Sequence, residues 1–311
     1  MKNVILDVDT GVDDAFAILF AARHPEINLL GITCVDGNTN LKSVVKNTLK
    51  TLDAAGAGNI PVGVGAARPL IDEPRYAEYV HGVDGLADLG GPESQRKVDS
   101  RPAVELMRDL IELSKEPVTI IPLAPLTNIA LFLRAFPESG KKIERIVMMG
   151  GSAASGNATA TAEFNIWHDP EAAAIVFKSG IPITMYGLDV FMSLTVSQSD
   201  ADALAETGEP TAKFAASLIN FFTGLFGENV TLGDYGAVAT ALFPELVKMK
   251  RFKVVVDTTF GPNRGQTVCD RRAMAEIEPD PTHADAPWVD VVLGIDIPAM
   301  RELWIDTIRK P

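Results

Sequence analysis

Residues 3–24 read NVILDVDTGVDDAFAILFAARH, an apolar run that breaks into a polar turn and resumes as an amphipathic stretch. A run without alternation fits a strand covered on both faces, so the segment reads as the first strand and first helix of a parallel sheet. The rhythm continues downstream. INLLGITCV (27–35) precedes LKSVVKNTLKTLDAAG (41–56), VTIIPL (118–123) precedes LTNIALFLRAF (126–136), and IERIVMMGG (143–151) precedes DPEAAAIVFKSG (169–180), with PITMYGL (182–188) following. Gly56, Pro137 and Gly180 mark helix ends. Beyond residue 200 the spacing predicts helices over 200–226 and within 234–249, strands over 251–257 and 273–277, and a closing helix from Ile297 to Arg309. No Pro/Gly/Ser linker or change of composition divides these parts. The expected fold is therefore α/β, an open, mostly parallel sheet flanked by helices, as one large domain over residues 1–311.

Ligands of open α/β sheets bind beyond the carboxyl ends of the strands. Here those exits carry Asp7 and Asp9, Asp36 and Asn38, Leu123, Met149 before GGSAASGN, and Asp189. Several are polar and glycine-rich, as a shared crevice requires. Composition narrows the choice of ligand. The chain has 311 residues, 47% hydrophobic and 22% charged, and no apolar run approaches the length of a membrane helix. A net charge of −13 opposes binding to a nucleic-acid polymer or an anionic membrane, since clustered Lys and Arg drive both. It suits a cation or a neutral small molecule. The opening segment is too short and too acidic for a secretory signal, so the expectation is the mature start of a cytoplasmic protein. Cys34 and Cys269, far apart in strand-like stretches, offer neither a disulfide framework nor zinc-site spacing.

DVDTGVDD (7–14) places four aspartates within eight residues. Like charges that close raise one another's pKa, so a positive group or a shared proton must sit among them. Helix capping explains one or two acids at a first turn, not four. An EF-hand loop requires oxygen ligands at positions 1, 3 and 5 and glycine at 6; counted from Asp7, position 5 is Gly11 and position 6 is Val12, and the register fails. ILDVDTG also looks like the strand and D-x-D-x-T of haloacid dehalogenase-like, magnesium-dependent phosphatases. That alternative lacks a lysine and a second acidic pair nearby.

More of the chain fits another family. DVDTGVDDA (7–15), VDGN (35–38), VHGVDGLAD (80–88), IPLAPLTNIA (121–130), VMMGG (147–151), GNATATAEFNIWHDPEAA (156–173), MYGLDV (185–190) and GDYGAVA (233–239) resemble, in order and spacing, the calcium-dependent, inosine-uridine preferring nucleoside hydrolases. The resemblance implies hydrolysis of the N-glycosidic bond of ribonucleosides to ribose and free base. It implies Ca2+ held by Asp9, Asp14, Asp234 and the carbonyl oxygen of Leu123, with Asp13 as the base that takes a proton from a metal-bound water. Oxygen donors suit a hard cation of six to eight ligands. By the same resemblance Asn38, Asn157, Glu163 and Asn165 face the sugar hydroxyls, Met149 packs on the ribose ring, and His81 stands near the departing base. Asp7 reads as a structural acid that holds the loop, and Phe164 as a pocket wall.

Two positions depart from the family pattern. Gly233 stands where many members carry a histidine before the last calcium aspartate, and Thr10 where proline is frequent. Protonation of the leaving base then falls to His81, Tyr76, Tyr79, Tyr235 or solvent, or to stacking on aromatic rings. Tyr235 is expected beside the base and Phe226 in the core. Purine or pyrimidine preference stays open, and family relatives suggest a homodimer or homotetramer.

Overall fold

The computed structural model describes residues 1–273, 277–278, 280–281 and 284–310. Its strands are β1 (Lys2–Val8), β2 (Ile27–Cys34), β3 (Val62–Val64), β4 (Val118–Pro122), β5 (Ile143–Met149), β6 (Ile183–Tyr186), β7 (Thr195–Ser197), β8 (Asn229–Thr231), β9 (Val247–Val256), β10 (Thr267–Cys269) and β11 (Trp288–Ile295). Among the described residues nine of them form one sheet in the order β10-β9-β11-β6-β5-β4-β1-β2-β3, and β7 and β8 pair separately. Every pairing from β3 across to β11 is parallel; β9 runs antiparallel to both β11 and β10. The expected fold is the observed one, a large and mostly parallel sheet flanked by helices.

The apolar run of β1 is continuous because both of its faces are covered. Ile5 packs with Ile120 and Ile146 in one core layer, while Leu6 packs with Ile121 and Val147 in the other, as period-two side chains must. The helix Val12–Arg23 is buried nearly all round, lying among the helices Leu41–Ala54, Tyr235–Leu242 and Ile297–Arg309. The Trp304 indole seals that packing, with Nε1 donating to the Phe16 carbonyl at 3.2 Å and its ring meeting Phe16 edge-on at 5.4 Å.

The order β3-β2-β1-β4-β5-β6 reverses direction at β1, between β2 on one side and β4 on the other. Chains leaving β1 and β4 therefore diverge to opposite sides and leave a crevice at their carboxyl ends. Register brings Asp7 level with Thr33 and Pro122, so the exits of β1, β2 and β4 stand side by side.

The later part of the chain differs in detail from the sequence reading. The helical stretch 200–226 is two helices, Gln198–Glu206 and Pro210–Phe226, broken at Gly208, whose φ of 80° is left-handed. The helix expected within 234–249 stops at Leu242, because Pro244 cannot continue it, and residues 247–249 already belong to β9. The strand expected over 273–277 falls on residues 274–276, outside the described residues. Strands β3, β7, β8 and β10 have three residues each, too few to show a period, and β11 and the helix Ala103–Leu113 also went unanticipated. Among the described residues no helix is long and apolar enough to cross a membrane.

Candidate active site

The turn after β1 delivers the acids. Asp7, still within the strand, accepts from Thr33 Oγ1 at 2.6 Å and Asn128 Nδ2 at 2.8 Å, which ties β1 to its neighbours; burial raises its pKa to about 7. These bonds join Asp7 to Thr33 of β2 and to Asn128, which is consistent with a structural acid. Two residues on, Asp9 Oδ2 accepts from the Asn38 backbone N–H at 2.7 Å, while Oδ1 is buried without a partner. The approach is so close that a Cβ on Gly37 would lie 2.1 Å from Asp9 Oδ2, which requires glycine there. Asp14 closes the first helical turn by accepting from Gly11 N–H at 2.9 Å, and it also takes Asn38 Nδ2 at 3.2 Å. It is thus a cap and a site acid at once.

Oxygens of Asp13, Asp14 and Asp234 come within 4.8 Å of one another. Asp234 arrives from the far end of the chain, as the residue that opens the helix Tyr235–Leu242. Burial, then the neighbouring aspartates, raises the pKa of Asp9, Asp14 and Asp234, with Asp14 at about 8. No lysine or arginine among the described residues lines the pocket above them. The unpartnered Asp9 oxygen and an all-oxygen donor set fit a hard metal ion, which would supply the missing positive charge. The geometric trio includes Asp13, the expected base, and does not include Asp9, an expected metal ligand.

The side chains expected at the sugar converge on the same place. Asn165 donates from Nδ2 to the Leu123 carbonyl at 2.9 Å and to the Met149 carbonyl at 3.2 Å, so the expected carbonyl ligand is already oriented by a side chain. Glu163 caps the helical turn Phe164–His168, accepting from Asn165 N at 2.9 Å and Ile166 N at 3.2 Å, and also from Gly151 N at 2.9 Å. Those three donors occupy much of the carboxylate, and burial still raises its pKa to about 7. Asn157 accepts from Phe164 N with its Oδ1, and among the described residues its amide N–H groups have no partner. A cavity of about 340 Å³ opens above, lined by Asp13, Asn38, His81, Leu123, Met149, Asn157, Glu163, Phe164, Asn165 and Asp234.

The family model for inosine-uridine preferring nucleoside hydrolase matches residues 4–302. This chain belongs to that family. It is 41% identical over 315 residues to the pyrimidine-specific ribonucleoside hydrolase RihA of Shewanella sp. (strain MR-7), an alignment that covers 99% of this chain and 96% of that one. Among solved structures, the plant nucleoside hydrolase PpNRh1 superposes with a TM-score of 0.92 at 30% identity, over 100% of this chain and 99% of that one. The purine-preferring ribonucleoside hydrolase of Gardnerella vaginalis gives 0.89 at 32%, over 99% and 98%. The protein is therefore a nucleoside N-glycosyl hydrolase. The phosphatase alternative finds no support, and a phosphate would meet carboxylates with no cation beside them.

Within this nucleoside hydrolase the residues expected around the base are arranged differently from expectation. Tyr235 is fully buried beneath the pocket, its hydroxyl donating to the Met300 carbonyl at 2.8 Å and its ring against Phe20, so it is a core residue rather than a base contact. Phe226, expected in the core, is 58% exposed and lines the cavity mouth, because the helix Pro210–Phe226 ends there and turns its last ring outward. Phe191 and Phe222 also line it, and neither was singled out from the sequence. Phe191 stands where a Gly233 side chain would go: a Cβ on Gly233 would lie 2.8 Å from both the Phe191 ring and Asp13 Cβ. His81 is buried, and its Nδ1 accepts from Val12 N–H at 3.2 Å. An imidazole that accepts there while burial lowers its pKa, against the pull of Asp13, is neutral and carries its proton on Nε2. Tyr76 points away from the cavity toward Asp36, whereas Tyr79 lies at its rim. Of the cysteines, Cys34 is buried and Cys269 half-buried, and burial pushes both thiols up to about 12, as inert thiols should be.

Proposed function

We propose that this enzyme hydrolyses ribonucleosides with Ca2+ at the acidic cluster, held by Asp9, Asp14, Asp234 and the Leu123 carbonyl oxygen. The observation that carries the reading is the meeting of acids from residues 13–14 and 234 beneath a cavity walled by asparagines. Calcium, when bound, supplies the positive charge that keeps the carboxylates ionised, makes a neighbouring water more acidic and attracts a vicinal diol. Asp13 is the most open acid of the group and faces the cavity, where it accepts the proton of the attacking water. Asn38, Asn157, Asn165 and Glu163 hold the ribose hydroxyls, and Met149 packs against the ring. Cleavage passes through an oxocarbenium-like state, which these neutral and anionic neighbours favour.

Gly233 offers no side chain to the departing base, so that task falls to the Nε2–H of His81, with Phe164, Phe222 and Phe226 as apolar walls. Relatives near 40% identity named as pyrimidine-specific direct the reading to pyrimidine ribonucleosides. The test is ribose release from uridine, cytidine and inosine after chelation and after calcium is restored. Release from uridine and cytidine that returns with calcium is expected. A preference for inosine would overturn the base assignment, and no release from any of the three would overturn the whole reading. The same reading makes the protein a cytoplasmic homodimer or homotetramer, checked by fractionation and light scattering.

A further inference from the structure

Behind the sugar-side residues lie three side chains that the reaction does not use. His168 ends the turn Phe164–His168 and is 1% exposed; Asp36 follows β2 and is 2% exposed. His168 Nε2 is 3.4 Å from Asp36 Oδ2, and the Tyr76 hydroxyl donates to Asp36 Oδ1 at 3.3 Å. Asp36 Oδ2 and both ring nitrogens of His168 have no other partner among the described residues. An imidazole and a carboxyl group buried face to face cannot both stay unpaired at acceptable cost, and a shift of a few tenths of an ångström completes the bond. Other charges nearby are engaged elsewhere. Asp169 caps the next helix and accepts from Leu70 N and Thr127 Oγ1, and Arg75 stacks over Trp167 and pairs with Asp72.

The three residues sit on the three segments that carry the substrate groups. Tyr76 precedes the turn with Tyr79 and His81; Asp36 precedes Asn38; His168 closes the turn that begins with Glu163, Phe164 and Asn165. A backbone bond from Ala77 N to Asn38 O at 2.9 Å already joins the first two, and the Phe164 ring packs on His168 at 5.7 Å. We propose that Tyr76, Asp36 and His168 form a buried clasp, its central bond a proton on His168 Nε2 given to Asp36, which holds Asn38, Asn165 and Phe164 at their mutual spacing. They are positioning residues for ribose, and the inference rests on the nucleoside reading of the site.

The test uses the calcium-loaded, nitrogen-15-labelled full chain. Wild type should show a downfield, slowly exchanging His168 Nε2–H resonance that disappears in Asp36→Asn. In Asp36→Asn and His168→Phe the KM for uridine and the inhibition constant of free ribose should rise together by about tenfold, the loss expected of one charge-assisted bond, with kcat within about threefold. The double variant should be no worse than either single one. Tyr76→Phe should keep the resonance and raise KM about twofold. Absence of the resonance in wild type overturns the shared proton, and unchanged KM and ribose inhibition in both single variants overturn the positioning role. If Asp36→Asn does not fold, His168→Phe and the wild-type spectrum still decide. Should wild type cleave no nucleoside, the functional reading falls by that result alone, while the resonance and ribose binding still judge the clasp.

Discussion

Asp13 and Asp234 both line the cavity, but the Asp13 side chain is 15% exposed, while Asp9, Asp14 and Asp234 are buried. That exposure suits the proposed role of Asp13 toward a water, whereas the buried acids suit the proposed role of metal ligands. Asp13→Ala should lower kcat for ribose release by about a thousandfold, within the usual range for loss of a general base, and leave the melting temperature unchanged. Wild-type turnover in that variant would remove Asp13 from the chemistry. Gly233 makes a second single-residue case. Its φ of 50° and the 2.8 Å approach to Asp13 Cβ mean that even a methyl group strains the backbone and pushes on the base. Gly233→Ala should cost about 1–2 kcal/mol in denaturant titration and lower kcat at least about tenfold. A histidine there would meet the same backbone strain and the same approach to Asp13, and the Phe191 ring as well. Residue types were legible in DVDTGVDDA and GNATATAEFN, but exposure was not, since it depends on what packs over each side chain.

At the scale of elements, helix ends decide which residues reach the substrate. Tyr235 and Phe226 belong to helices that approach the cavity, yet one is buried beneath it and the other stands at its mouth. Tyr235→Phe removes one buried hydrogen bond to Met300 and should lower stability by about 1 kcal/mol with kcat and KM unchanged. Phe226→Ala should do the reverse, raising KM severalfold with little loss of stability, because its ring is largely exposed in the unliganded fold. Kinetic changes in the first variant and none in the second would restore the assignment read from the sequence. That assignment failed for a physical reason: a ring beside a motif is equally close in sequence to core and solvent, and the rotation of the helix determines which it meets.

Across the whole molecule the buried acids link stability to pH and to metal. Asp7 and Glu163 at about 7 and Asp14 at about 8, with Asp9 and Asp234 also raised, all lie above the ordinary carboxylate range near 4. Folded carboxyls that bind protons more tightly than unfolded ones contribute stability fully present below about pH 4, and that contribution is lost as pH rises through 7 to 8. Chelated protein should thus melt progressively lower from pH 5 to pH 8, and calcium should raise the melting temperature more at pH 8 than at pH 5. A chelated protein that gains stability over that range, or an equal calcium effect at both pH values, would contradict the linkage. Calorimetry of the calcium-loaded chain should show one transition if residues 1–311 fold as a single unit. Local pattern determined the parallel sheet, the helix starts and the identity of the acidic and amide donors, because hydrophobic period and motif spacing are properties of consecutive residues. The family resemblance already implied that Asp234 joins the acids of the first turn; only the tertiary structure decided that Asp13 completes that group, that Phe191 takes the room left by Gly233, and that Tyr235 faces inward. Those are distances between segments far apart in the chain, set by the crossover at β1 and by the packing of helices on its two sides.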